Sequence, residues 1–257
     1  MSSVVTPAIV LHAFDYSESS RILRLATRAA GVQSVLARGA RVSKRRFGSA
    51  VDLFAEGEVQ YDVRAGRDLH TLARFDVMRS RVALGTSLAR FEGASALADV
   101  MLRVAGDDET PADAFDALRD GLDAIAADAD ATVATVRAIW RLLASIGFTP
   151  ALDACVECNR DMEPALDVAF SAESGGVLCQ ACAVRIPSRR LPATARALIR
   201  LWIGSDERTH TEGAESGIDE PTTRAHRRLL RIFVHAHLTD GRPLRAFDAW
   251  ATADAAG

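Results

Sequence analysis

The strongest chemical pattern in the sequence is a set of four cysteines arranged as two Cys-x2-Cys pairs. The first pair is Cys155 and Cys158, the second is Cys179 and Cys182, and twenty residues separate the pairs. Two thiolates on one tight turn can share a metal ion, and two such turns complete the tetrahedron that is typical of structural zinc. Because sulfur would fill all four positions and leave none for water, the spacing predicts one structural Zn²⁺ per chain and no catalytic metal.

Two other interpretations of these cysteines stay open at this stage. Each pair could act as a redox dithiol, or the four thiols could be structural without a metal. A cytoplasmic setting disfavours disulfides. Gly175 and Gly176 lie just before the second pair and can supply the backbone freedom that a metal-binding turn needs.

A second pattern is a run of cations between residues 38 and 47. Its members are Arg38, Arg41, Lys44, Arg45, Arg46 and the aromatic Phe47. Guanidinium groups form bidentate contacts with phosphates, and an aromatic ring offers a surface on which a base can stack. The run lies between two predicted strands, and its composition is compatible both with a loop that follows a nucleic-acid backbone and with a loop that is only solvated.

The remaining polar residues form no recognisable catalytic motif. The sequence has no glycine-rich phosphate loop, no nucleophile elbow and no His-Glu-x-x-His metal motif. Its six histidines are scattered, and His235 and His237 would not share a face of the helix that the pattern predicts there. We therefore expect a protein that is not an enzyme.

The two patterns lie in regions of different secondary structure. Residues 1–77 contain short apolar runs, of which Val51–Val63 is the clearest: every second residue is apolar or small, and Phe54 falls on the polar side. Residues 69–75 alternate again after a turn. Four or five short strands in this length, with little helical signal, predict a small β-barrel.

From residue 78 onward the spacing of apolar residues becomes helical. The predicted apolar stripes are Leu84, Leu88, Phe91 and Ser95; Phe115, Leu118, Leu122 and Ile125; and Val133, Val136, Ile139, Trp140, Leu143 and Ile146. A further helix follows Pro192, a last one runs from Pro221 to about His237, and the acidic segment 205–220 is predicted to be an exposed, mobile loop. The fold class is therefore α+β, with a barrel domain at 1–77 and a helical domain at 78–150 and 191–257 that carries a zinc unit at 151–190.

Composition and charge exclude several classes of protein. The 257 residues are 49% hydrophobic and 25% charged, which is typical of a globular protein. No apolar stretch is long enough for a transmembrane helix and the N-terminus lacks a secretory signal, so we expect a cytoplasmic protein with no membrane partner. The net charge is −3, yet residues 1–76 carry +3 and residues 100–135 carry −7, which indicates two surfaces with different partners.

Blocks of sequence spread over almost the whole chain point to a known family. They are AIVL at 8–11, YSESSRI at 16–22, ARGAR at 37–41, DLF at 52–54, LLASIGFTP at 142–150 ahead of the first cysteine pair, and GGVLC at 175–179. In this order and spacing, the blocks resemble the bacterial RecO family of recombination mediators. The final fifty residues match least, and RPLRA at 242–246 lacks the Lys-Ser step usual in the family.

The resemblance implies an N-terminal OB-fold followed by a helical domain with a four-cysteine zinc knuckle. It also implies a role in the RecF pathway of DNA repair: binding single- and double-stranded DNA, annealing complementary strands and, with RecR, helping to load RecA. The run at 38–46 matches the basic region of the family's OB-fold. Binding the acidic C-terminal tail of single-strand binding protein would need a basic-rimmed apolar groove, and Arg196, Arg200 and Trp202 are candidates for it by their chemistry.

Two other classes of function remain as alternatives. A zinc-ribbon transcription or protein-interaction module would bind a duplex site or a protein and would not anneal strands. A metal-binding scaffold with no nucleic-acid partner would fit the net negative charge. Sequence-specific duplex binding would favour the first class, and a lack of DNA binding at low salt would favour the second.

Overall fold

The structure, a computed structural model, describes residues 2–40, 52–64, 66–104, 111–204, 218–238 and 243–253. Within these ranges it contains eight strands and seven α-helices, so the protein has the expected mixed α+β class. No helix in the same ranges is both long and apolar enough to cross a membrane. Residues 205–217, which form most of the predicted mobile loop, lie outside the described residues.

Five strands form the N-terminal domain and close into a ring. They are β1 (Ser2–Asp15), β2 (Arg21–Thr27), β3 (Gly31–Ala37), β4 (Glu56–Val63) and β5 (Leu69–Arg79). Each strand pairs with two others in the order β1-β2-β3-β5-β4 and back to β1, and β3 and β5 are the parallel pair. Alternate residues such as Leu23, Val35 and Val59 fill the interior, which the period of two in the sequence predicts.

The alternating run Val51–Val63 predicts a half-buried strand or a hairpin broken near Gly57, but the strand β4 begins only at Glu56 and runs unbroken through Gly57. Phe54 has a left-handed backbone (φ 65°) and is buried, although the pattern places it on the polar side. Its N–H donates to the carbonyl of Val10 (2.8 Å), and the N–H of Val10 donates to the carbonyl of Ala55 (2.9 Å). These hydrogen bonds to β1 hold a turn in which buried and exposed side chains no longer alternate. The Phe54 ring packs in the core of the helical domain.

The rest of the chain is mainly helical. Its helices are α1 (Leu88–Val104), α2 (Ala112–Ala127), α3 (Ala131–Ser145), α4 (Gln180–Ala183), α5 (Ala193–Ile203), α6 (Glu220–Leu238) and α7 (Arg245–Thr252). The apolar stripes predicted for α2 and α3 are buried, apart from Ile146, which is only half-buried just beyond the end of α3. Asp130 caps α3 by accepting hydrogen bonds from the N–H groups of Thr132 and Val133.

The stripe predicted at the start of α1 is wrong. Leu84 lies in a separate 3-10 turn (Val82–Gly85), and Leu88 and Phe91 are 72% and 42% exposed. The buried face of α1 consists largely of small residues. At Gly93 an added Cβ would lie 2.1 Å from Oγ1 of Thr135 in α3. The close packing of α1 on α3 requires small residues at this contact. A pattern of large apolar residues therefore does not predict this face of α1.

The predicted last helix is present as α6, but the sequence pattern does not reveal α7. The N–H groups of Ala246 and Phe247 at the start of α7 donate to Oδ2 of Asp99 in α1 (2.9 and 3.2 Å). Because the free N–H groups of α7 are bonded by a side chain 147 residues away, no capping residue next to the helix marks its start in the sequence. The guanidinium of Arg227 in α6 lies 5.0 Å from the centre of the Trp250 ring, which packs α7 against α6.

Arg81 joins the barrel to the helices, and its side chain is only 2% exposed. Its Nη1 donates to the carbonyl of Phe54 (3.0 Å), its Nη2 forms an ion pair with Glu56, and its Nε donates to Oδ1 of Asp123 in α2 (2.7 Å). All three nitrogens of the buried guanidinium are therefore satisfied across the junction. Two more exposed ion pairs span the same junction, Arg28 with Asp116 and Arg79 with Asp123.

Replacing Arg81 with Met should lower the free energy of unfolding by about 2 kcal/mol, because Glu56 and Asp123 would lose their shared cation. Urea denaturation at neutral pH, followed by circular dichroism, measures this change. Arg79→Met is the matched control, since it removes an exposed partner of the same Asp123 and should have little effect. Equal destabilisation by the two substitutions would contradict a special role for the buried group.

Candidate functional site

The first cysteine pair lies on a tight turn that its own backbone holds in shape. The N–H of Cys155 donates to the carbonyl of Arg160 (2.8 Å), and the N–H of Asn159 donates to the carbonyl of Cys155 (2.9 Å). Asn159 adopts a left-handed conformation (φ 55°), which asparagine tolerates better than most residues. The Cys-x2-Cys spacing thus folds locally into a knuckle, as the sequence indicates.

The second pair lies at the start of α4, with Cys179 at the N-cap and Cys182 inside the helix. A small sheet precedes and follows it, made of β6 (Val168–Ser171), β7 (Gly176–Leu178) and β8 (Arg189–Leu191) in the order β7-β6-β8. The N–H of Val156 donates to the carbonyl of Val177 in β7 (3.0 Å), which ties the first knuckle to the second. Gly176 permits this approach, because a Cβ there would lie 2.5 Å from the carbonyl oxygen of Ala151.

The four sulfur atoms lie within 4.8 Å of one another, and Sγ of Cys158 is 3.8 Å from Sγ of Cys179. A regular tetrahedron of sulfurs around zinc has edges of about 3.8 Å when the Zn–S distance is about 2.3 Å. Burial raises the pKa of the Cys155 thiol, but hydrogen bonds from the backbone of Cys179 and Cys158 outweigh burial and lower that pKa to about 6. The cluster therefore has the donor set and the spacing to bind a metal ion.

Arg196 and Arg200, which the sequence analysis places at a partner surface, hold the cysteine unit to α5. Arg196 is fully buried. Its Nε donates to the carbonyl of Leu152 (2.8 Å), its Nη2 to that of Met162 (2.8 Å) and its Nη1 to that of Glu163 (2.9 Å). Nη2 of Arg200 also donates to the carbonyl of Leu152 (3.0 Å). One turn of α5 thus supplies four hydrogen bonds to backbone carbonyls of the segment that leads into and out of the first knuckle, and Arg200 also forms an ion pair with Asp153 in that segment.

Trp202, the third residue of that predicted partner site, is 1% exposed and packs edge-on against the ring of His226 (4.7 Å between centroids). An accessible partner surface at Arg196 and Trp202 therefore disagrees with the structure, because both side chains belong to the interior. Two arginines four residues apart are typical of an exposed basic helix face. In this protein the cysteine unit packs over α5 and buries Arg196, and a sequence pattern does not show that contact.

Of the predicted DNA-contacting residues, the structure describes Arg38, which is exposed and directly follows β3. The others lie outside the described residues: Arg41, Lys44, Arg45, Arg46 and Phe47. Arg38 projects from the end of β3 that pairs with the start of β2.

A groove of about 590 Å³ opens where β4 ends and where β3 and β5 begin, and we name it the barrel-end groove. Its polar lining includes Arg24 on β2, Arg64 and Arg67 on the β4–β5 turn, His70 on β5, Gln33 and Ser34 on β3, and the carboxylate of Asp68. The His70 ring stacks on Tyr61 at 5.5 Å with an interplanar angle of 7°. Nε of Arg24 has no hydrogen-bond partner among the described residues, and burial lowers the pKa of this group. The groove can therefore accept an anion next to an aromatic stack.

The barrel-end groove is not predictable from local sequence patterns. Arg24 lies in a strand and Arg64 and Arg67 lie in a turn forty residues later, and neither position forms a cluster on its own. The parallel pairing of β3 with β5, which aligns Ser34 with Leu69, brings them together. The local sequence feature that could have indicated the groove is the pair Arg64 and Arg67 in the short β4–β5 turn.

A second groove lies between α6 and the segment that begins α5, and we name it the α5–α6 groove. It measures about 270 Å³. Its apolar lining includes Leu191, Pro192, Ala195, Leu229 and Ile232, its basic residues are Arg189, Arg190 and Arg228, and His226 also faces it. Arg190 pairs with Asp167, whereas Arg189 and Arg228 have no acidic partner within the described part of the chain. A pocket lined by Arg189, Arg224, Arg228 and Arg231 adjoins it.

Comparison with family models matches both parts of the chain. Residues 1–81 match the model described as "Recombination protein O N terminal", and residues 85–246 match the one described as "Recombination protein O C terminal". The two matched regions meet at the 3-10 turn that follows Arg81.

Individual relatives give the same result over most of the chain. A protein named DNA repair protein RecO from Anaeromyxobacter sp. (strain K) is 34% identical over 249 residues, which cover 96% of this chain and 95% of that protein. The protein of that name from Anaeromyxobacter dehalogenans (strain 2CP-C) is 36% identical, with 96% and 95% covered. The one from Rubrobacter xylanophilus is 31% identical over 232 residues, with 89% and 90% covered.

Proposed function

This chain belongs to the Recombination protein O family, and we propose that it acts as a DNA-binding mediator of repair and recombination and not as an enzyme. In this proposal it binds single- and double-stranded DNA, anneals complementary strands and, together with RecR, helps to load RecA. It would act in the cytoplasm, where the bacterial chromosome lies. The family match does not favour the alternative, a zinc-ribbon transcription or protein-interaction module.

The observation that carries the proposal is the position of the barrel-end groove on the N-terminal domain. We propose that this domain is an OB-fold, on the basis of its five strands in the closed order β1-β2-β3-β5-β4. OB-folds bind oligonucleotides with the face of strands 2 and 3 and with loops that include the one between strands 4 and 5. Arg24 and Ser34 lie on β2 and β3, and Arg64 and Arg67 lie in the β4–β5 turn.

The groove would bind the sugar-phosphate backbone through its guanidinium groups. Among the described lining residues, three arginines face one carboxylate, so the local charge is positive although the chain carries −3 overall. Each phosphate that an arginine neutralises releases counterions, which favours binding at low salt. We propose that Arg38, which follows the other end of β3, also contacts DNA, together with the basic sequence run that contains Arg41, Lys44, Arg45, Arg46 and Phe47.

Strand annealing needs no bond to be made or broken in this protein. Two DNA strands repel each other through their phosphates, and cations that neutralise one backbone reduce that repulsion. A strand held by its backbone keeps its base edges available for pairing, while the half-buried ring of His70, which stacks on the buried Tyr61, can support a base that is not yet paired.

We propose that Cys155, Cys158, Cys179 and Cys182 bind one Zn²⁺ and that its role is structural. When bound, the ion would add its binding free energy to the folding of this unit. The unit in turn packs on α5 through Arg196. Zinc would therefore stabilise the region that supports the α5–α6 groove.

We propose that the α5–α6 groove, in place of Arg196, Arg200 and Trp202, binds the acidic C-terminal tail of single-strand binding protein. Apolar residues such as Leu191, Leu229 and Ile232 line it. Arg189 and Arg228 lie beside these apolar residues, and they lack an acidic partner among the residues that the structure describes. A tail that ends in apolar residues after a run of acids would match both properties.

Replacing Arg64 and Arg67 together with Ala should weaken binding to a single-stranded oligonucleotide roughly 10- to 30-fold at about 0.1 M salt. Losing two phosphate contacts should also reduce the magnitude of the salt slope, log K against log salt, by about 1.4. Fluorescence anisotropy at several salt concentrations measures both quantities. Arg74→Ala is the matched control, because Arg74 is an exposed arginine of the same barrel that lies outside the groove and pairs with Asp76.

The same variants should be compared in the annealing of two complementary fluorescent oligonucleotides at two salt concentrations. We expect the wild-type protein to accelerate annealing more at low salt, and the double variant to lose most of that acceleration. An unchanged salt slope in the double variant would remove the barrel-end groove from the DNA path. If the folded wild-type protein accelerated annealing at neither salt, the proposed annealing activity would be wrong.

Elemental analysis of protein purified without chelator should find about one zinc per chain. Cys155→Ser should lose the metal and lower the melting temperature, because it removes a fully buried ligand of the cluster. Glu157→Ala is the control: Glu157 is exposed, lies between the first two cysteines and supplies no ligand, so it should keep the full zinc content. Less than about half an equivalent of zinc in the wild type would contradict the proposal.

A further inference from the structure

We propose that Phe14 and Tyr16 on the β1–β2 hairpin stack against unpaired bases, so that the barrel binds single-stranded DNA in preference to duplex. This inference rests on the proposed binding of DNA at the barrel-end groove. It adds a surface that senses whether the bases are paired, whereas the arginines of the groove contact phosphates that single strands and duplexes share.

A row of exposed rings follows the last part of β1. His12 is exposed, Phe14 is 42% exposed, and Tyr16, directly after the strand, is 60% exposed. Residues two apart on a strand lie on the same face of the sheet, and the ring centroids of His12 and Phe14 are 5.6 Å apart. Large apolar groups gathered at one place on a surface are typical of a binding site.

The strand register leaves this row open to solvent. Phe14 lies opposite Ile22 on β2, which in turn lies opposite Leu36 on β3. Ile22 is buried and Leu36 is half-buried, so Phe14 is the exposed member of these three. On its other side β1 pairs with β4 only as far as Ile9, so the rings lie beyond the end of that pairing.

Basic residues lie at both ends of the row. His12 is opposite Arg24, which lines the barrel-end groove and whose Nε has no hydrogen-bond partner among the described residues. At the far end of β3 the exposed Arg38 follows the strand. The carboxylate of Asp15 is paired with Arg21 (3.0 Å). A polyanion that contacts Arg24 and Arg38 would therefore pass the rings, and this charge arrangement identifies the ligand as a nucleic-acid strand.

The turn that carries Tyr16 is held by its own hydrogen bonds. The N–H of Tyr16 donates to the carbonyl of Ser20 (3.0 Å), and the N–H of Ser20 donates to Oγ of Ser17 (3.1 Å). Because the backbone is fixed and an aromatic side chain has only two rotatable torsions, ordering the ring on a base costs little conformational entropy.

The spacing of the rings favours unpaired bases. Two residues of a strand advance about 6.6 Å, whereas stacked bases in a duplex follow one another every 3.4 Å or so. In a duplex the faces of each base are also covered by its neighbours. A single strand with its bases unstacked offers a free face to each ring, so contact with Phe14 and Tyr16 would favour that form.

The test compares three DNA probes of about 16 nucleotides, the upper end of the site size of an OB-fold. They are a single strand, the duplex of the same sequence, and an abasic strand that keeps the phosphates but lacks the bases. Fluorescence anisotropy measures their binding to the full-length protein. Replacing Phe14 and Tyr16 together with Leu removes the flat rings but keeps an apolar cover over Ile22. We expect this variant to bind the single strand roughly 10- to 100-fold more weakly, with less than about a twofold change for the duplex and the abasic strand.

Phe91→Leu is the matched control, because Phe91 in α1 is as exposed as Phe14 but lies outside the row, and it should leave the binding of all three probes unchanged. Tyr16→Trp keeps a flat ring, so it should retain binding, and its added fluorescence should be quenched by the single strand and not by the duplex. Melting temperatures establish that the variants are folded.

The outcomes separate this inference from the proposed function. If the Phe14 and Tyr16 double variant kept the wild-type preference for the single strand over the abasic strand, the role of the rings would be refuted. Weaker binding by the Arg64 and Arg67 double variant would in that case still retain the barrel-end groove. If the wild-type protein bound none of the three probes, the proposed DNA binding would itself be wrong.

Discussion

A guanidinium group is costly to bury unless its nitrogens find acceptors, and at both major joints of this molecule each of the three guanidinium nitrogens donates a hydrogen bond. At the first joint, Arg81 connects the barrel to α2 through a carbonyl and two carboxylates. At the second, Arg196 connects the cysteine unit to α5 through three backbone carbonyls. In both cases a planar donor fork fixes the relative position of two elements, which an apolar contact would leave freer to slide. The barrel-end groove lies on the barrel side of the first joint, and the α5–α6 groove borders the helix that forms the second.

The sequence was informative where a feature depends on neighbouring residues. The spacing of the four cysteines predicts a metal cluster because each pair forms its own turn, and the stripes of α2 and α3 predict their buried faces because one helix carries the whole pattern. Three features that were not predicted have the same physical cause. The sequence pattern predicts Arg196 to be exposed, but the cysteine unit covers it, and Phe54 departs from the alternating pattern because of hydrogen bonds to Val10. The barrel-end groove exists only once β3 pairs with β5. Long-range contacts decide all three.

The two grooves use the same cation in different surroundings. In the barrel-end groove the arginines are accompanied by Gln33, Ser34 and a stacked ring pair, a lining that tolerates many sequences and favours a polyanion. In the α5–α6 groove the arginines border apolar residues and an imidazole without a partner among the described residues, a lining that favours a ligand with distinct charged and apolar parts. Net charge therefore says little about partners here, since a chain of −3 presents two locally positive surfaces.

The capping of α7 by Asp99 also bears on how the chain folds as it leaves the ribosome. All five barrel strands lie within residues 2–79, so that domain can close early in synthesis. Asp99 in α1 must wait for Ala246, 147 residues later. At the usual rate of about 5–20 residues per second, this delay is roughly 7 to 30 seconds. During that time the part of α1 that packs against α7 stays uncovered, so the nascent helical domain exposes buried surface for longer than the barrel does.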